Sequence, residues 1–193
     1  MIASSHLTQG GAYLPIPGLP DHSPILWTIA LAPSASSKTL ATKTVAQILT
    51  DNDGSSSLRM FPSGGTDAQW IVDLADNNGS YWFQDEVGKF IKKVLSDKNY
   101  LRIKDWVLNA YSREQISNRL KSEANKLTID DPHFTFFGLT VRETWKYDID
   151  ATSMLDGFCQ RFNYVIAPER TDTDMFEHFL YHDGEDAEVK KRK

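Results

Sequence analysis

A segment of small residues leads into a Lys-Thr pair in the first quarter of the chain. Residues 32–39 read A-P-S-A-S-S-K-T, between an apolar run and a helical pattern. A phosphate-binding loop reads G-x-x-x-x-G-K-[ST] in the same setting: its backbone N–H groups converge on phosphates, and its lysine and hydroxyl contact the outer phosphates and Mg²⁺. Ala32 and Ser37 occupy the two glycine positions. Taken alone, the segment is better explained as an ordinary strand, turn and helix in which the Lys-Thr pair occurs by chance.

Two adjacent acidic residues close a later apolar run. Asp85 and Glu86 follow residues 81–84, which read Y-W-F-Q. In a nucleoside triphosphatase, the first of two such acids holds Mg²⁺ through water and the second activates the attacking water. The alternative is an aspartate that caps the next helix. Because this pair and the Lys-Thr segment follow separate predicted strands, the two motifs together favour a nucleotide site.

Two more polar residues adjoin predicted strands. Thr140 follows the apolar run 133–139, and its hydroxyl would contact a γ-phosphate or the attacking water. The alternative is a threonine that takes part in a turn at the end of the strand. Arg161 stands where a short helix meets a strand. It is either a catalytic arginine or an ion-pair partner of Asp156 or of the acidic C-terminal stretch.

The elements that must position these residues alternate along the chain. Glycine and proline residues punctuate the first 24 residues, which predicts a loop there. Apolar, β-rich runs predict strands over 25–31, 57–61, 80–84, 133–139 and 161–167. Helical patterns cover 39–49, 66–75, 87–95, 101–110, 152–159 and 174–181, and residues 112–129 predict a hairpin. Apolar strands separated by helices predict an α/β fold with a mostly parallel sheet.

Composition is that of an ordinary globular domain. The 193 residues are 40% hydrophobic and 24% charged, which excludes disordered, collagen-like and membrane proteins. The longest apolar run has about nine residues, whereas a membrane span needs about 20. The amino terminus lacks the basic and apolar regions of a secretory signal. The single cysteine, Cys159, excludes an intrachain disulfide, and we expect a packing role for it in a cytoplasmic protein without a membrane partner.

Charge is distributed unevenly. The net charge is −5, yet residues 89–126 carry ten Lys or Arg and four Asp or Glu. Residues 171–188 carry seven acidic side chains and no Lys or Arg. The basic middle of the chain favours a nucleic-acid partner. The alternative is a basic face that is exposed to solvent and binds no nucleic acid.

Taken in order, these motifs resemble the ATPase core of phage and mobile-element primase-helicases, which are related to superfamily 3 and other AAA+ helicases. The resemblance spans roughly residues 5–170 and rests on the Lys-Thr loop, F-Q-D-E-V-G-K-F at 83–90, the F-F-G-L-T strand at 136–140 and L-D-G-F-C-Q-R-F at 155–162. It implies a three-layer P-loop NTPase fold of the AAA+ (ASCE) type, with the five predicted strands in the order 5-1-4-3-2. Residues 1–170 would form the ATPase core with a basic hairpin insertion at 113–130. Residues 171–193 would form a C-terminal helix and charged tail, the start of a missing lid.

The resemblance also assigns a role to each candidate residue. Nucleotide binding would fall to Ala32, Ser34, Ala35, Ser36, Ser37, Lys38 and Thr39. Lys38 would contact the β- and γ-phosphates of ATP, and Thr39 and Asp85 would hold Mg²⁺. Glu86 would be the catalytic base, and Thr140 would sense the γ-phosphate.

The implied activity is that of an ATP-dependent DNA helicase or translocase working as a homo-oligomeric ring. Arg161 would act across the subunit boundary on the neighbouring nucleotide. The hairpin would contact the phosphates of single-stranded or forked DNA through Arg113, Arg119, Lys121 and Lys126. A primase or another replisome protein would be a further partner.

Two other functions fit parts of the sequence. A degenerate P-loop module that binds DNA or a replisome partner without hydrolysis is favoured by the two replaced glycines. The retained Lys38, Thr39, Asp85 and Glu86 oppose it. A small-molecule kinase is a weaker alternative, because the Asp-Glu strand end and the basic insertion argue against it.

Overall fold

A parallel β-sheet forms the centre of the fold. The computed structural model describes residues 2–18, 21–34, 38–48, 59–62, 66–118 and 127–168. Its main strands are β1 (Trp27–Ala32), β2 (Tyr81–Gln84), β5 (Thr135–Val141) and β6 (Asn163–Ile166). They are ordered β2–β5–β1–β6, and each neighbouring pair is parallel. On the outer side of β2, Met60 forms a single parallel β-bridge with Tyr81.

Helices connect these strands. They are α1 (Ile2–Gln9), α2 (Lys38–Ile48), α3 (Asp67–Asp76), α4 (Val87–Ser96), α5 (Leu101–Ser112), α6 (Arg142–Asp148) and α7 (Ala151–Leu155). Short 3₁₀ turns span Lys98–Tyr100 and Cys159–Arg161, and β3 (Ile116–Ser117) pairs antiparallel with β4 (Thr128–Ile129). The predicted α/β class with a mostly parallel sheet is confirmed, and the arrangement is compatible with a three-layer α/β fold.

Helix α3 shows how local sequence sets an element. The Thr66 side chain accepts a hydrogen bond from the Gln69 N–H and so caps the amino end. The apolar stripe of the helix buries Trp70, Ile71 and Leu74. Gly79, at a φ of +78°, turns the chain from the end of α3 into β2, a backbone conformation that glycine adopts without strain.

Aromatic side chains fill the core on one face of the sheet. Trp27 stacks on Phe134 at 5.1 Å between ring centroids, and its indole N–H donates to the Phe134 carbonyl at 3.0 Å. Trp82 packs edge-on against both Phe134 and Phe136. Trp70 and Trp82 are buried in this core, and Trp106 and Trp145 lie half-buried against it.

The first residues form a helix, so the loop predicted for this region is wrong over α1. The helix has no apolar stripe from which it could be recognised, because the side chains it buries include Ser4, Ser5 and Thr8. It is held by tertiary hydrogen bonds instead. The Arg59 N–H donates to the Gln9 side-chain oxygen at 3.2 Å.

The helix predicted over 152–159 forms as α7 but is shorter than predicted, since α7 ends at Leu155. The Asp156 carboxylate accepts the Phe158 N–H at 2.8 Å, which turns the chain before the 3₁₀ turn at Cys159–Arg161. The C-terminal helix predicted at 174–181 lies outside the described residues, as do residues 57 and 58 of the strand predicted at 57–61.

Candidate functional site

Three adjacent parallel strands bring the sequence motifs to one edge of the sheet. Strand β5 lies between β1 and β2. Its residue Thr140 pairs with Leu31 of β1, and Gly138 pairs with Gln84 of β2. Neighbouring strands are about 4.8 Å apart, so the segment after β1, Thr140 and the Asp-Glu pair after β2 follow one another along this carboxyl edge.

The Lys-Thr segment has the expected strand–loop–helix setting. Ala32 is the buried last residue of β1 and pairs with Val141. Pro33 and Ser34 follow it, and α2 begins at Lys38 with Thr39 second. Ala35, Ser36 and Ser37 lie outside the described residues, and the nucleotide contacts assigned to this segment stay predictions.

Glu86 stands in an unusual backbone conformation. It has a φ of +50° and a ψ of 42°, the left-handed region that residues with a Cβ rarely adopt. Two hydrogen bonds hold it there: its N–H donates to Asp85 Oδ1 at 2.9 Å, and its carbonyl accepts the Lys89 N–H at 3.0 Å. Strained residues persist where surrounding contacts fix them, and they cluster at functional sites.

The Glu86 carboxylate is engaged in an ion pair. Lys89 Nζ lies 2.6 Å from Glu86 Oε2, and both side chains are about two-thirds exposed. The hydrogen bond to Glu86 and its negative charge raise the pKa of Lys89. Because water screens an exposed pair strongly, this contact opens readily and does not lock the carboxylate.

Thr140 faces the first turn of α4. It is 5% exposed, and a Cβ placed on Gly88 would lie 3.4 Å from its hydroxyl oxygen. The hydroxyl therefore lies beside the helix that begins directly after Asp85 and Glu86.

Asp148 is a neighbour of this site that the sequence reasoning missed. Its carboxylate lies closest to Gly88, since a Cβ on that glycine would be 2.9 Å from Asp148 Oδ2. Its side chain is 16% exposed, with Lys92 Nζ 3.9 Å away. Nothing local marks Asp148, because α6 buries none of its own residues and has no apolar pattern that could indicate which face meets α4.

Helix α4 packs very close to β5 because Gly138 of β5 has no side chain. A Cβ on Gly138 would lie 2.7–2.8 Å from three side-chain atoms of Val87, the first residue of α4. Atoms do not approach that closely, so the glycine of the F-F-G-L-T strand is needed for this packing. The contact fixes the amino end of α4, and with it the Asp-Glu turn.

Arg161 lies at the opposite edge of the sheet. It precedes β6, whose amino end faces away from the carboxyl edge because all four strands are parallel. Its guanidinium lies 5.4 Å from the Tyr111 ring centroid and donates to the Gly157 carbonyl. Its Nε is buried and has no hydrogen-bond partner within the described part of the chain.

Asp156, which the sequence offered as an ion-pair partner for Arg161, pairs with Lys104 instead. Lys104 Nζ lies 2.8 Å from Asp156 Oδ2. Burial alone would raise the pKa of Asp156, but the hydrogen bonds from Lys104 and from the Phe158 N–H lower it below its usual value. The pair ties the chain before β6 to α5.

Of the four residues predicted to contact DNA, the structure describes Arg113 alone. It ends α5 with a φ of +59°, and its guanidinium holds both carboxylate oxygens of Asp131. That pairing lowers the pKa of Asp131 and offsets the charge of Arg113. Arg119, Lys121 and Lys126 lie outside the described residues.

Within the described ranges, no group of three or more His, Cys, Asp or Glu side chains could hold a metal ion. Mg²⁺ bound with a nucleotide takes one or two protein ligands and completes its shell with phosphates and water. The predicted pair Thr39 and Asp85 fits that requirement in residue type. Among the residues that the structure describes, no helix combines the length and apolar character needed to cross a membrane.

A comparison with protein-family models finds no match to this chain, and a comparison with curated proteins finds none either. Functional assignment therefore rests on the residues themselves and on where the fold places them.

Proposed function

We propose that this chain is the ATP-dependent DNA motor domain of a phage or mobile-element replication protein. The observation that carries the proposal is the alignment of three adjacent parallel strands, from which the Lys-Thr segment, Thr140 and Asp85-Glu86 follow at one edge. Ligands of parallel α/β sheets bind at that edge. The bridge at Met60 and the order β2–β5–β1–β6 support the five-strand order 5-1-4-3-2 that the motor fold requires.

Each residue at the edge has a chemical task in the proposal. Lys38 contacts the β- and γ-phosphates of ATP. Thr39 and Asp85 hold Mg²⁺, which neutralises charge on the phosphates when bound. Glu86 takes the proton of the attacking water, and Thr140 contacts the γ-phosphate or that water from the strand between them.

Hydrolysis in this scheme requires the Glu86–Lys89 pair to open. The Glu86 Oε2 atom lies 2.6 Å from Lys89 Nζ and accepts a hydrogen bond from that ammonium, so it is not free to contact the attacking water. The pair is exposed and therefore weak, so Lys89→Gln should raise turnover only a few-fold. Entry of a nucleotide next to Lys89 would also compete for its ammonium.

DNA is the proposed polymer partner, bound through the basic middle of the chain in the cytoplasm of a bacterium or infected cell. The contacts are assigned to Arg113, Arg119, Lys121 and Lys126. Because Asp131 already pairs with Arg113, we assign most of the affinity to the other three. Reversing the charges of Arg119 and Lys121 should weaken binding to single-stranded DNA and flatten its salt dependence. An unchanged affinity at low salt would indicate a solvated basic face instead.

A ring is proposed because Arg161 lies at the sheet edge opposite Asp85 and Glu86. It is too far around the fold to serve its own site, so it acts only on a neighbour's nucleotide. Arginines that contact the transferred phosphoryl group contribute about 10³–10⁵ in rate. Arg161→Ala and Glu86→Gln should each be inactive, and mixing them should restore activity. If the two variants assemble together and the mixture is still inactive, the role of Arg161 is structural, through its contact with Tyr111.

A second function is favoured by one observation at the loop. Ala32, at the position of the first loop glycine, is buried and still paired in β1. The loop is therefore shorter than the eight-residue motif suggests. A degenerate module that binds DNA or a replisome partner without hydrolysing ATP fits a loop of this kind.

ATPase activity with and without single-stranded DNA separates the two functions. A motor hydrolyses ATP faster with DNA, and Glu86→Gln should lower turnover at least 100-fold, within the ~10²–10⁴ range of a general base. Glu114→Gln, which changes an exposed glutamate at the end of α5, is the matched control and should leave turnover unchanged. A folded wild type without turnover supports the degenerate module.

A further inference from the structure

A polar pocket of about 490 Å³ lies between α5 and residues 115–118. Its volume falls in the range of small-molecule sites, about 300–1,000 Å³. One stripe of α5 forms one wall of the pocket, because residues three or four positions apart on a helix share a face. The stripe consists of Arg102, Asp105, Trp106 and Asn109. These four side chains therefore face one common space.

Trp106 supplies an aromatic surface to this pocket. The residue is half-buried, and its ring lies nearly parallel to that of Trp70, with 6.1 Å between the ring centroids and 13° between the planes. The contact with Trp70 fixes the orientation of the Trp106 ring, and the remaining surface of Trp106 lines the pocket. A nucleobase of any identity can stack on an accessible aromatic ring.

Two polar side chains of the same stripe are available to a ligand. Asp105 is exposed and Asn109 is half-buried. Within the described ranges, neither the Asp105 carboxylate nor the Asn109 amide has a hydrogen-bond or ion-pair partner. Arg102 is 72% exposed, and its Nη1 atom lies 3.9 Å from the Asp67 carboxylate, a distance at which an exposed pair is weak. The pocket therefore offers an acceptor, an amide that both donates and accepts, and a cation.

The opposite wall is held in place by its own hydrogen bonds. The Gln115 amide donates to Asp130 Oδ1 at 2.7 Å, and the Asn118 side-chain oxygen accepts the Leu127 N–H at 2.9 Å. Both bonds join this wall to the chain around β4. The wall is therefore formed before a ligand arrives, which lowers the entropic cost of binding.

The place of the pocket in the chain indicates what occupies it. Asn118 directly precedes residues 119–126, which include Arg119, Lys121 and Lys126. The proposed function assigns phosphate contacts to these three residues. A DNA strand bound there would bring its bases beside the pocket. Cytosine, adenine and guanine carry an exocyclic amino group that can donate to Asp105, whereas thymine carries none.

We propose that this pocket holds one base of a single DNA strand and selects against thymine through Asp105. The inference rests on the DNA binding of the proposed function, but it requires neither ATP hydrolysis nor a ring. A free phosphate would be repelled by the Asp105 carboxylate. An aliphatic ligand would leave both Asp105 and Asn109 without a partner.

Fluorescence anisotropy with three single strands of about 15 nucleotides tests the proposal. The strands are oligodeoxycytidylate, oligodeoxythymidylate and an abasic deoxyribose phosphate polymer, and the measurement is made at mildly alkaline pH, where cytosine is unprotonated. The wild type should bind the cytosine strand about tenfold more tightly than the thymine strand, which corresponds to about 1.4 kcal/mol. It should bind the abasic strand most weakly, because that strand has no base to stack.

Two aspartate variants separate base selection from overall charge. Asp105→Ala should reduce the tenfold preference for cytosine to about onefold. The preference is the readout, because removing any carboxylate also lowers the repulsion of every strand. Asp76→Ala is the matched control, since it removes the same charge from an exposed residue of α3 that does not line the pocket, and it should keep the tenfold preference.

The outcomes distinguish this inference from the proposed function. Selection against thymine that is lost in Asp105→Ala supports the pocket, and it does so even if the protein hydrolyses no ATP. Equal wild-type affinity for all three strands, an unchanged preference in Asp105→Ala, or an equal loss in Asp76→Ala would overturn the inference and leave DNA binding by the basic segment intact. Absence of binding to every strand would overturn both.

Discussion

Replacing Gly138 by alanine tests how the candidate site is positioned. The added Cβ would stand 2.7–2.8 Å from Cβ, Cγ1 and Cγ2 of Val87. Val87 is fully buried and branched at Cβ, so it has no free rotamer into which to move. Either α4 or β5 must shift, and α4 carries the Asp-Glu turn at its amino end.

The structure sets the size of the effect. Overpacking a close-packed core costs about 1–3 kcal/mol, and a clash with three atoms of a stiff neighbour belongs in the upper half. Alanine also restricts the unfolded chain, which offsets about 0.4–1 kcal/mol. We expect Gly138→Ala to lower the free energy of unfolding by about 2 kcal/mol, or the Tm by about 4–8 °C.

Urea denaturation of four variants measures this effect. Gly157→Ala is the matched control, because its Cβ would meet only the flexible end of Arg161, at 3.2 Å, and it should change stability by less than about 0.5 kcal/mol. Val87→Ala makes room for the new Cβ. The double variant Gly138→Ala/Val87→Ala should therefore be at least about 1 kcal/mol more stable than additivity predicts.

Two results would refute the reasoning. If Gly138→Ala is as stable as Gly157→Ala, the close approach of α4 to β5 does not exist in solution. If the double variant is additive, the loss arises somewhere other than Val87.

Three further measurements test other parts of the fold. Arg113 lowers the pKa of Asp131, so their contact stabilises the fold above the ordinary aspartate pKa of about 3.9, and this stabilisation is lost as pH falls through the lower folded value. In Asp131→Asn, the free energy of unfolding should therefore fall less steeply with decreasing pH than in the wild type. An unchanged pH dependence would contradict the pairing. Burial raises the pKa of Cys159 to about 11, so a thiol reagent at neutral pH should label it only after unfolding; rapid labelling of the native protein would place it at the surface. Thr66→Ala should cost about 1 kcal/mol by removing the cap of α3, and Thr66→Ser should restore most of it; equal losses would exclude the hydroxyl.

Strong local patterns accounted for much of the fold. The apolar runs of β1 and β5 and the buried stripe of α4 follow from sequence periodicity, since each buries one continuous set of apolar side chains. Helices α1 and α6 could not be recognised this way. The first buries serines and a threonine, and the second buries no residue, so packing and tertiary hydrogen bonds decide both.

Some residues of the candidate site could likewise be predicted from the sequence, and others could not. Asp85, Glu86 and Thr140 are visible in sequence because each ends or nearly ends an apolar run. Asp148 could not be predicted from the sequence, because its position depends on how α6 packs against α4, where Gly88 leaves room for its carboxylate. Neither the left-handed backbone of Glu86 nor its pairing with Lys89 follows from residue type, since both depend on how the turn enters α4.

Calorimetric titration with Mg²⁺ and ATP tests the central claim most directly, namely that the carboxyl edge of the sheet binds a nucleoside triphosphate. The wild type should bind at millimolar or lower ATP. Lys38→Ala should weaken that binding at least tenfold, since a charge-assisted contact contributes about 1.5–3 kcal/mol. Lys43→Ala, an exposed lysine on the same helix, should bind as the wild type does. Absence of binding to the folded wild type, or equal binding by Lys38→Ala and the wild type, would contradict the claim.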